Sequence, residues 1–503
     1  MNNVYKISKK YLTSALFVAI ITGIALGIGF IVPPLAGLAV VGVVGCIYLI
    51  EGAKNPWWAG VYIGIAWTIK SLCSILWFWA AYPISWITLT SPVTEIFIIF
   101  LHWMTGALWL GAGGVFFGIG LKYIEGVKIL PRPLWYILVP VWCVVGELAG
   151  ALTFSFIGLG PGSYLQTYFS FGFIGYLLGY SPFGIAIAPY GGVYTLTAIM
   201  ASLGVFFFVV LKNRSYQIGL AGLVGVIICA VVPFSLPPTP SSNMSVISIN
   251  TRFDAYYLSN QAGQQGRAQT LETAVTEALV YNPQFIILPE DSRYLMSQFG
   301  SVQENSIVNK FLFTHPDGRS IIIDSGREDL LDGTSVLRAH LLDATNNQFL
   351  QFDKQYLVPQ GEYVPALYGA AMHLFGYGPF VEKIEQNNSY RPGPFLQSET
   401  VPAHLPAILF CFESVRPDGV QSITHNRQVP FVAHPISHAW FHSSKVLWQQ
   451  LDVMLQIQAR QSGVPIVSAG NMVPGKLYLP DGTIETGELL VEGERYELRL
   501  FSF

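Results

Sequence analysis

Cys411 closes an apolar run, ILFCFE, and is the one cysteine in the second half of the chain. A thiol attacks a carbonyl carbon as its thiolate, so it needs a base to take its proton and a cation to steady the charge that develops. Residues of both kinds recur at similar intervals before it: Glu290 ends the apolar string IILPE, and Lys354 and Glu362 stand in DKQYLVPQGEYVP. Glu413 follows the cysteine by two positions. A cation beside a carboxylate keeps it ionised, and a nearby ammonium lowers a thiol pKa. A Glu-Lys-Cys set of this kind could run covalent acyl transfer, and that chemistry calls for no cofactor. Standing alone, Cys411 would read as a small apolar core residue. The other cysteines, Cys46, Cys73, Cys143 and Cys229, lie in long apolar stretches, so Cys411 has no disulfide partner in its own half.

One further cluster bears on metal chemistry. His434, His438 and His442 are spaced by four, which on a helix would align three imidazoles. Pro435 interrupts any helix there, so no metal site is expected and His438 is instead a candidate substrate contact.

The elements that must hold these residues alternate in character. MSVISIN (244–250), QFIILPE (284–290), SIIIDSG (320–326), LPAILFCFE (405–413), VPFVAHP (429–435), GVPIVSAGN (463–471) and GKLYLPDG (475–482) read as strands. Residues 264–280 and 443–461 read as helices. Strands alternating with helices predict an α/β sandwich, and such folds keep their sites at the carboxyl ends of strands. The domain expected from 237 to 503 follows a Pro/Ser linker, PFSLPPTPSS (233–242).

Residues 1–236 are of another kind. They hold 14 charged side chains, 10 basic and 4 acidic, whereas 237–503 hold 43. The chain average of 11% charged, against about 25% in soluble domains, excludes an ordinary soluble protein. Seven apolar stretches can cross a bilayer: roughly 11–31, 35–50, 57–79, 95–121, 134–157, 190–211 and 217–235. With Lys6, Lys9 and Lys10 in the cytoplasm, seven crossings also put Lys54, Lys122, Lys128, Arg132, Lys212 and Arg214 there, and the opposite connections carry no Lys or Arg. An odd number of crossings delivers 237–503 to the extracytoplasmic face, periplasmic where there is an outer membrane. The uncharged segment 158–189 lies along the outer interface or dips into it. Two ionisable residues, Lys70 and Glu147, fall inside spans, where an unpaired charge costs about 2.5–3.5 kcal/mol. They read either as a mutual pair or as a head-group contact. A net charge of −3, with the excess of acid in the second half, gives no sign of a nucleic-acid partner.

KQYLVPQGEYVP, then Cys411-Phe412-Glu413, then AWF at 439–441 and Trp448-Gln449-Gln450 on a helix, together resemble the apolipoprotein N-acyltransferases, membrane-anchored members of the nitrilase superfamily. The resemblance runs through nearly the whole chain in order. It implies a multi-span α-helical membrane domain followed by a nitrilase-like α-β-β-α sandwich. It also implies a two-step reaction: an acyl chain leaves a phospholipid, is held as a thioester on the cysteine, and passes to the free α-amine of a diacylglyceryl-cysteine lipoprotein. Carried over, Cys411 is the nucleophile, Glu290 the general base, and Lys354 with the Phe412 N–H the oxyanion site. Glu362 and Glu413 orient Lys354 and the substrate, and Trp440 of the AWF string supports the site. The apolar loop 365–380 becomes a lid facing the lipid. The location implied is a bacterial plasma (inner) membrane. Leu288 replaces an expected Trp, Phe412 an expected Tyr and Ser437-His438 an expected Asn-Asp pair, and the closing ERYELRLFSF is too short and charged to be the final membrane helix that members of the family carry. The same triad would make a carbon-nitrogen hydrolase if water reached the acyl-enzyme, or the chain could be a membrane scaffold that keeps the fold.

Overall fold

The computed structural model describes residues 2–503 apart from 85–90, 128–129, 161–162, 216, 218–220, 223, 226–243, 260, 301–303, 331–332, 375, 389, 394–401, 426 and 443. Six helices coincide with six of the expected spans: α1 Asn2–Gly27, α2 Leu38–Gly52, α3 Pro56–Ser74, α4 Pro92–Val127, α5 Arg132–Ile157 and α6 Gly192–Lys212. By length and composition α4, α5 and α6 are each able to cross a membrane. The seventh span, 217–235, and the linker 233–242 fall almost wholly outside the described residues.

Small residues let these helices approach closely, the usual basis of packing where lipid supplies no hydrophobic drive. A Cβ on Gly113 of α4 would stand 2.1 Å from the Gly146 carbonyl oxygen of α5, so that contact is backbone against backbone. At one end of the bundle Glu51, Lys122, Glu125, Arg132 and Lys212 form an ion-pair network, which gathers basic residues from separate connections onto one face. Lys70 and Glu147 do pair, at 3.6 Å, with the ammonium also 4.2 Å from the Trp67 ring centre.

At the opposite end, residues 158–160 and 163–190 form short turns and helices, Gly175–Leu178 and Pro182–Ile187 among them, packed between the bundle and the second half of the chain. There the Tyr363 hydroxyl donates to the Gly158 carbonyl (2.5 Å), Gln450 Nε2 to the Ser74 carbonyl (2.8 Å) and His442 Nε2 to the Pro83 carbonyl (3.1 Å).

Among the described residues the second half holds twelve strands: β1 Ser245–Thr251, β2 Phe285–Ile287, β3 Ile321–Asp329, β4 Ser335–Asp343, β5 Gln348–Asp353, β6 Ala407–Ile408, β7 Val432–Ser437, β8 Ile466–Asn471, β9 Leu477–Tyr478, β10 Ile484–Glu485, β11 Glu488–Glu492 and β12 Tyr496–Ser502. Strands β1, β2 and β3 run parallel, as do β6, β7 and β8; β4, β5 and β12 pair antiparallel, and β1 meets β8 at Thr251 and Asn471. The pleat sends alternate side chains to opposite faces. Val246, Phe285, Ile287 and Ile323 meet Ile408, Ala433, Val467 and Ala469 in a core between the two groups of strands. Ile247, Ile249, Ile286 and Ile322 face outward, into a layer that includes Leu271, Ala274 and Val275 of α7, Gln261–Val280. Val432 and Ile466 face Leu455 and Ala459 of the later helix Lys445–Ser462. The α-β-β-α layering expected from sequence is therefore present, with strands apolar on both faces as doubly covered parallel strands are.

Residues 365–380 differ from the expected loop. Their described part is mostly helical, in α8 Ala366–Leu374 and the start of α9 Gly378–Asn388; α10 is Lys445–Ser462. Leu367, Leu374 and Tyr377 are exposed, so the segment is not a buried core piece. Helix α8 starts where the Ala366 N–H donates to the Leu159 carbonyl (2.6 Å), just past α5.

Candidate active site

Glu290, Lys354 and Cys411 come from three strand ends and converge. Strand β2 stops at Ile287 and the chain turns to present Glu290; β5 stops at Asp353 and presents Lys354; β6 runs into a 3-10 turn, Cys411–Val415, whose first residue is the cysteine. Sequence reading placed Cys411 at a strand end, and the structure puts it at the start of that turn.

Lys354 is fully buried, and its Nζ donates to Glu290 Oε1 at 2.9 Å and to Glu362 Oε1 at 2.6 Å. The Cys411 thiol lies close enough to the Glu290 carboxyl for each to shift the other's ionisation. The thiol donates to the Ser437 carbonyl at 3.8 Å. Glu362 reaches back over Lys354 because residues 358–362 form a tight turn: its N–H donates to the Val358 carbonyl (2.9 Å), and its Oε2 accepts from the Val358 N–H (2.8 Å). Within that turn Gln360 takes a left-handed φ of 68°.

Glu413, expected with Glu362 to orient Lys354 and the substrate, makes its contacts to main chain. Its carboxylate accepts three backbone N–H groups, from Gln355 (2.7 Å), Tyr356 (3.2 Å) and Phe410 (2.9 Å). It thus ties the lysine strand end to the cysteine turn through main chain. Phe412 packs on Tyr356 with ring centres 4.8 Å apart. Trp440 is half-buried, with its indole over Gly361, where a Cβ would lie 2.2 Å from Cζ3. Glycine is required at that contact. Gly361→Ala is expected to displace the indole and the Glu362 turn, destabilising the protein by about 1–3 kcal/mol as overpacking does, a loss that thermal unfolding would register.

The electrostatics follow from burial. Burial pushes the Glu290 carboxyl up to about 7, with Glu362 adding to the rise and Lys354 opposing it. Burial and the Glu290 charge together hold the Cys411 thiol well above its ordinary value, although Lys354 pulls it down. The lysine effect anticipated from sequence is present but outweighed, so the resting thiol is neutral beside a carboxyl that ionises near neutrality. Lys354 keeps its proton strongly, raised by the two carboxylates against the penalty of burial.

The three histidines do not converge. His434 Nδ1 bonds the Leu409 carbonyl (2.7 Å), His442 bonds Pro83, and His438 is 2% exposed with its ring 6.2 Å from that of Trp448. Burial lowers His434 to about 4 and His438 to about 3, so both are neutral at physiological pH. Among the described residues no three His, Cys, Asp or Glu side chains group as metal ligands. The Ser437 carbonyl and Asn471, whose Nδ2 donates to Ser437 Oγ (3.1 Å), were not singled out from sequence. No motif marks them, since the contact spans 34 residues.

Fold and site together define a chain whose apolar helical bundle carries, at one end, an α-β-β-α sandwich with a buried Glu-Lys-Glu cluster beside a cysteine. Its similarities are to proteins named apolipoprotein N-acyltransferase: one from Ralstonia nicotianae, 23% identical over 317 residues, covering 59% of this chain and 55% of that protein; one from Haemophilus ducreyi, 23% identical over 437 residues, covering 80% and 81%; and one from Bradyrhizobium diazoefficiens, 28% identical over 191 residues, covering 35% and 33%. The matched part thus spans about half the length of the Ralstonia protein. No family model matches. Among solved structures, an amidase from Nesterenkonia sp. is 14% identical, with 54% of this chain and 93% of that one covered and a TM-score of 0.35. The chain is thus similar, at 23–28% identity, to proteins named apolipoprotein N-acyltransferase.

Proposed function

We propose that the chain is an N-acyltransferase of a bacterial plasma membrane, which moves an acyl chain from a phospholipid to the N-terminal α-amine of a diacylglyceryl-cysteine lipoprotein through a thioester on Cys411. The observation that carries this reading is Lys354 held between Glu290 (2.9 Å) and Glu362 (2.6 Å) in a buried cluster beside the Cys411 turn. Glu290 takes the thiol proton as sulfur attacks the ester carbonyl. The oxyanion of the tetrahedral intermediate is held by Lys354 and by the Phe412 N–H, which lies in the first turn of a helix, where N–H groups have no intrahelical partner. Collapse breaks the C–O bond, and the lysophospholipid oxygen leaves with the proton from Glu290. The lipoprotein amine then attacks the thioester, Glu290 takes the amine proton, and the departing sulfur recovers it.

Phe412 in place of a tyrosine leaves no hydroxyl at that position, so the oxyanion site relies on Lys354 and main chain. The exposed apolar residues of α8 support access from lipid, since a face of that kind is out of place in water. The basic network at the far end of the bundle supports a cytoplasmic location for that end and an extracytoplasmic one for the site.

Incubating the purified full chain with phosphatidylethanolamine vesicles should add an acyl-sized, hydroxylamine-labile mass to Cys411, absent in Cys411→Ala. A diacylated lipopeptide should then discharge it onto the peptide amine. Discharge to water alone would favour the hydrolase, and the absence of any adduct would leave a scaffold.

A further inference from the structure

The cysteine turn is completed from outside its own domain. A helical turn ends in carbonyls that need donors, and Cys411–Val415 has few residues of its own to supply them. Ser414 Oγ donates back to the Cys411 carbonyl (2.6 Å), and Gln458 Nε2 of α10 donates to the Ser414 carbonyl (2.7 Å). The Val415 carbonyl accepts from Ser170 Oγ at 2.5 Å, and Ser170 belongs to the segment that follows α5. Ser170 is fully buried, and because its proton goes to Val415, its oxygen accepts from the Tyr176 hydroxyl (2.8 Å). On either side, Phe169 lies 6.2 Å from the Phe412 ring and stacks on Phe154 of α5 at 4.0 Å, and Phe171 lies 5.0 Å from Trp77.

That segment is anchored in turn by the buried acid of the membrane half. Glu147 Oε1 accepts the Ile174 N–H (2.6 Å) and lies 3.6 Å from Lys70 Nζ, while Oε2 accepts the Thr197 hydroxyl (2.8 Å). Thr197 Oγ1 accepts the Gly175 N–H (3.0 Å). An ion pair with no part in the chemistry thus fixes one end of residues 169–175, and the other end holds the turn that carries Cys411.

We infer that Ser170 and Phe169 are positioning residues for Cys411, held in place by the Lys70–Glu147 pair, so that the membrane helices set the thiol within reach of Glu290. The inference rests on Cys411 being the nucleophile. Its consequence is that the sandwich alone cannot aim its own cysteine: loosen the segment and the thiol drifts from its base, though every residue of the sandwich is intact.

Alkylation of Cys411 by iodoacetamide in the detergent-solubilised full chain, followed across pH by peptide mass, reads this without any lipid substrate. In the wild type the rate should follow the ionisation of Glu290, with a midpoint near 7. Ser170→Ala should slow alkylation at pH 7 about tenfold, the order expected when a reacting group loses its alignment, and move the midpoint up, since a thiol that has lost its base must ionise on its own. Phe169→Leu should act in the same direction, and it serves if Ser170→Ala does not fold. Tyr176→Phe, which removes a buried hydroxyl from the same cluster but leaves the Ser170–Val415 bond, should keep the wild-type rate and midpoint. Equal slowing by Ser170→Ala and Tyr176→Phe, or a wild-type profile in both Ser170→Ala and Phe169→Leu, overturns the positioning role alone. A wild-type Cys411 no more reactive than the cysteines of the bundle overturns the nucleophile assignment and the inference with it.

Discussion

Glu290→Gln should reduce acyl-enzyme formation by about 10³-fold, within the range assigned to a positioned general base, while leaving Cys411 in place. The amide keeps the shape of the carboxylate but cannot accept the thiol proton as a base. Because burial holds the Glu290 carboxyl up near 7, the base form is scarce below that value and dominant above it. The wild-type rate should therefore fall about tenfold per unit of acidification below pH 7 and level off above it. The variant should lose this profile, keeping only the slow rise that comes with ionisation of the thiol. Single-turnover acylation by vesicles at a series of pH values measures both. A Glu290→Gln variant that acylates at the wild-type rate with the same midpoint would exclude Glu290 as the base.

Lys354→Met should damage both stability and chemistry. The ammonium is fully buried between two carboxylates, and removing one partner of a buried ionic cluster typically costs about 3–5 kcal/mol, because the remaining charge is left uncompensated. Loss of an oxyanion donor adds a fall of about 10²–10³-fold in acylation rate. The sign of the pH effect is set by Glu290. Its folded value already lies above its unfolded one, and Lys354 is what restrains it, so the variant's carboxyl rises further. A carboxyl raised on folding stabilises the protein below its unfolded pKa of about 4.3 and loses that contribution as pH climbs through the folded value. The stability deficit of Lys354→Met should accordingly be smaller at pH 5.5 than at pH 8, and thermal unfolding at the two values tests it. Equal melting losses at both would mean that the freed carboxylate finds another partner.

The parts legible in sequence were those governed by local pattern. The strings SVISIN, IVSAGN and QFIIL are apolar on both faces and could only be covered strands, and the residues that follow them are where a site would lie. Glu290 and Cys411 could therefore be singled out as candidates at the ends of apolar strings, whereas Lys354 and Glu362 were singled out from the string KQYLVPQGEYVP. Strands β4, β5 and β12 were not, because Ser335–Asp343, Gln348–Asp353 and Tyr496–Ser502 mix polar with apolar residues and owe their state to antiparallel partners. Glu413 was singled out, but its three main-chain N–H partners were not foreseen, because a carboxylate that binds main chain leaves no trace in residue types. The role of 158–189 was equally hidden. An uncharged aromatic stretch looks like an interfacial loop until the Val415 carbonyl, 245 residues from its donor, gives it something to hold.

Helix α4 has a length that matters beyond its packing. At ~1.5 Å per residue its 36 residues measure about 54 Å, against a hydrocarbon core of about 30 Å. A tilt of about 40° still leaves α4 spanning about 41 Å along the membrane normal, more than the hydrocarbon core and comparable with the bilayer including its head groups, about 40–45 Å. Its first turns, with Val93, Ile96, Phe97 and Phe100 exposed, make an apolar collar, and His102 one turn deeper lies with its ring 5.6 Å from Tyr368 of α8. On the proposed function this contact would carry α8 to whatever depth α4 sits at, so membrane thickness would bear on how readily a lipid tail reaches the cysteine.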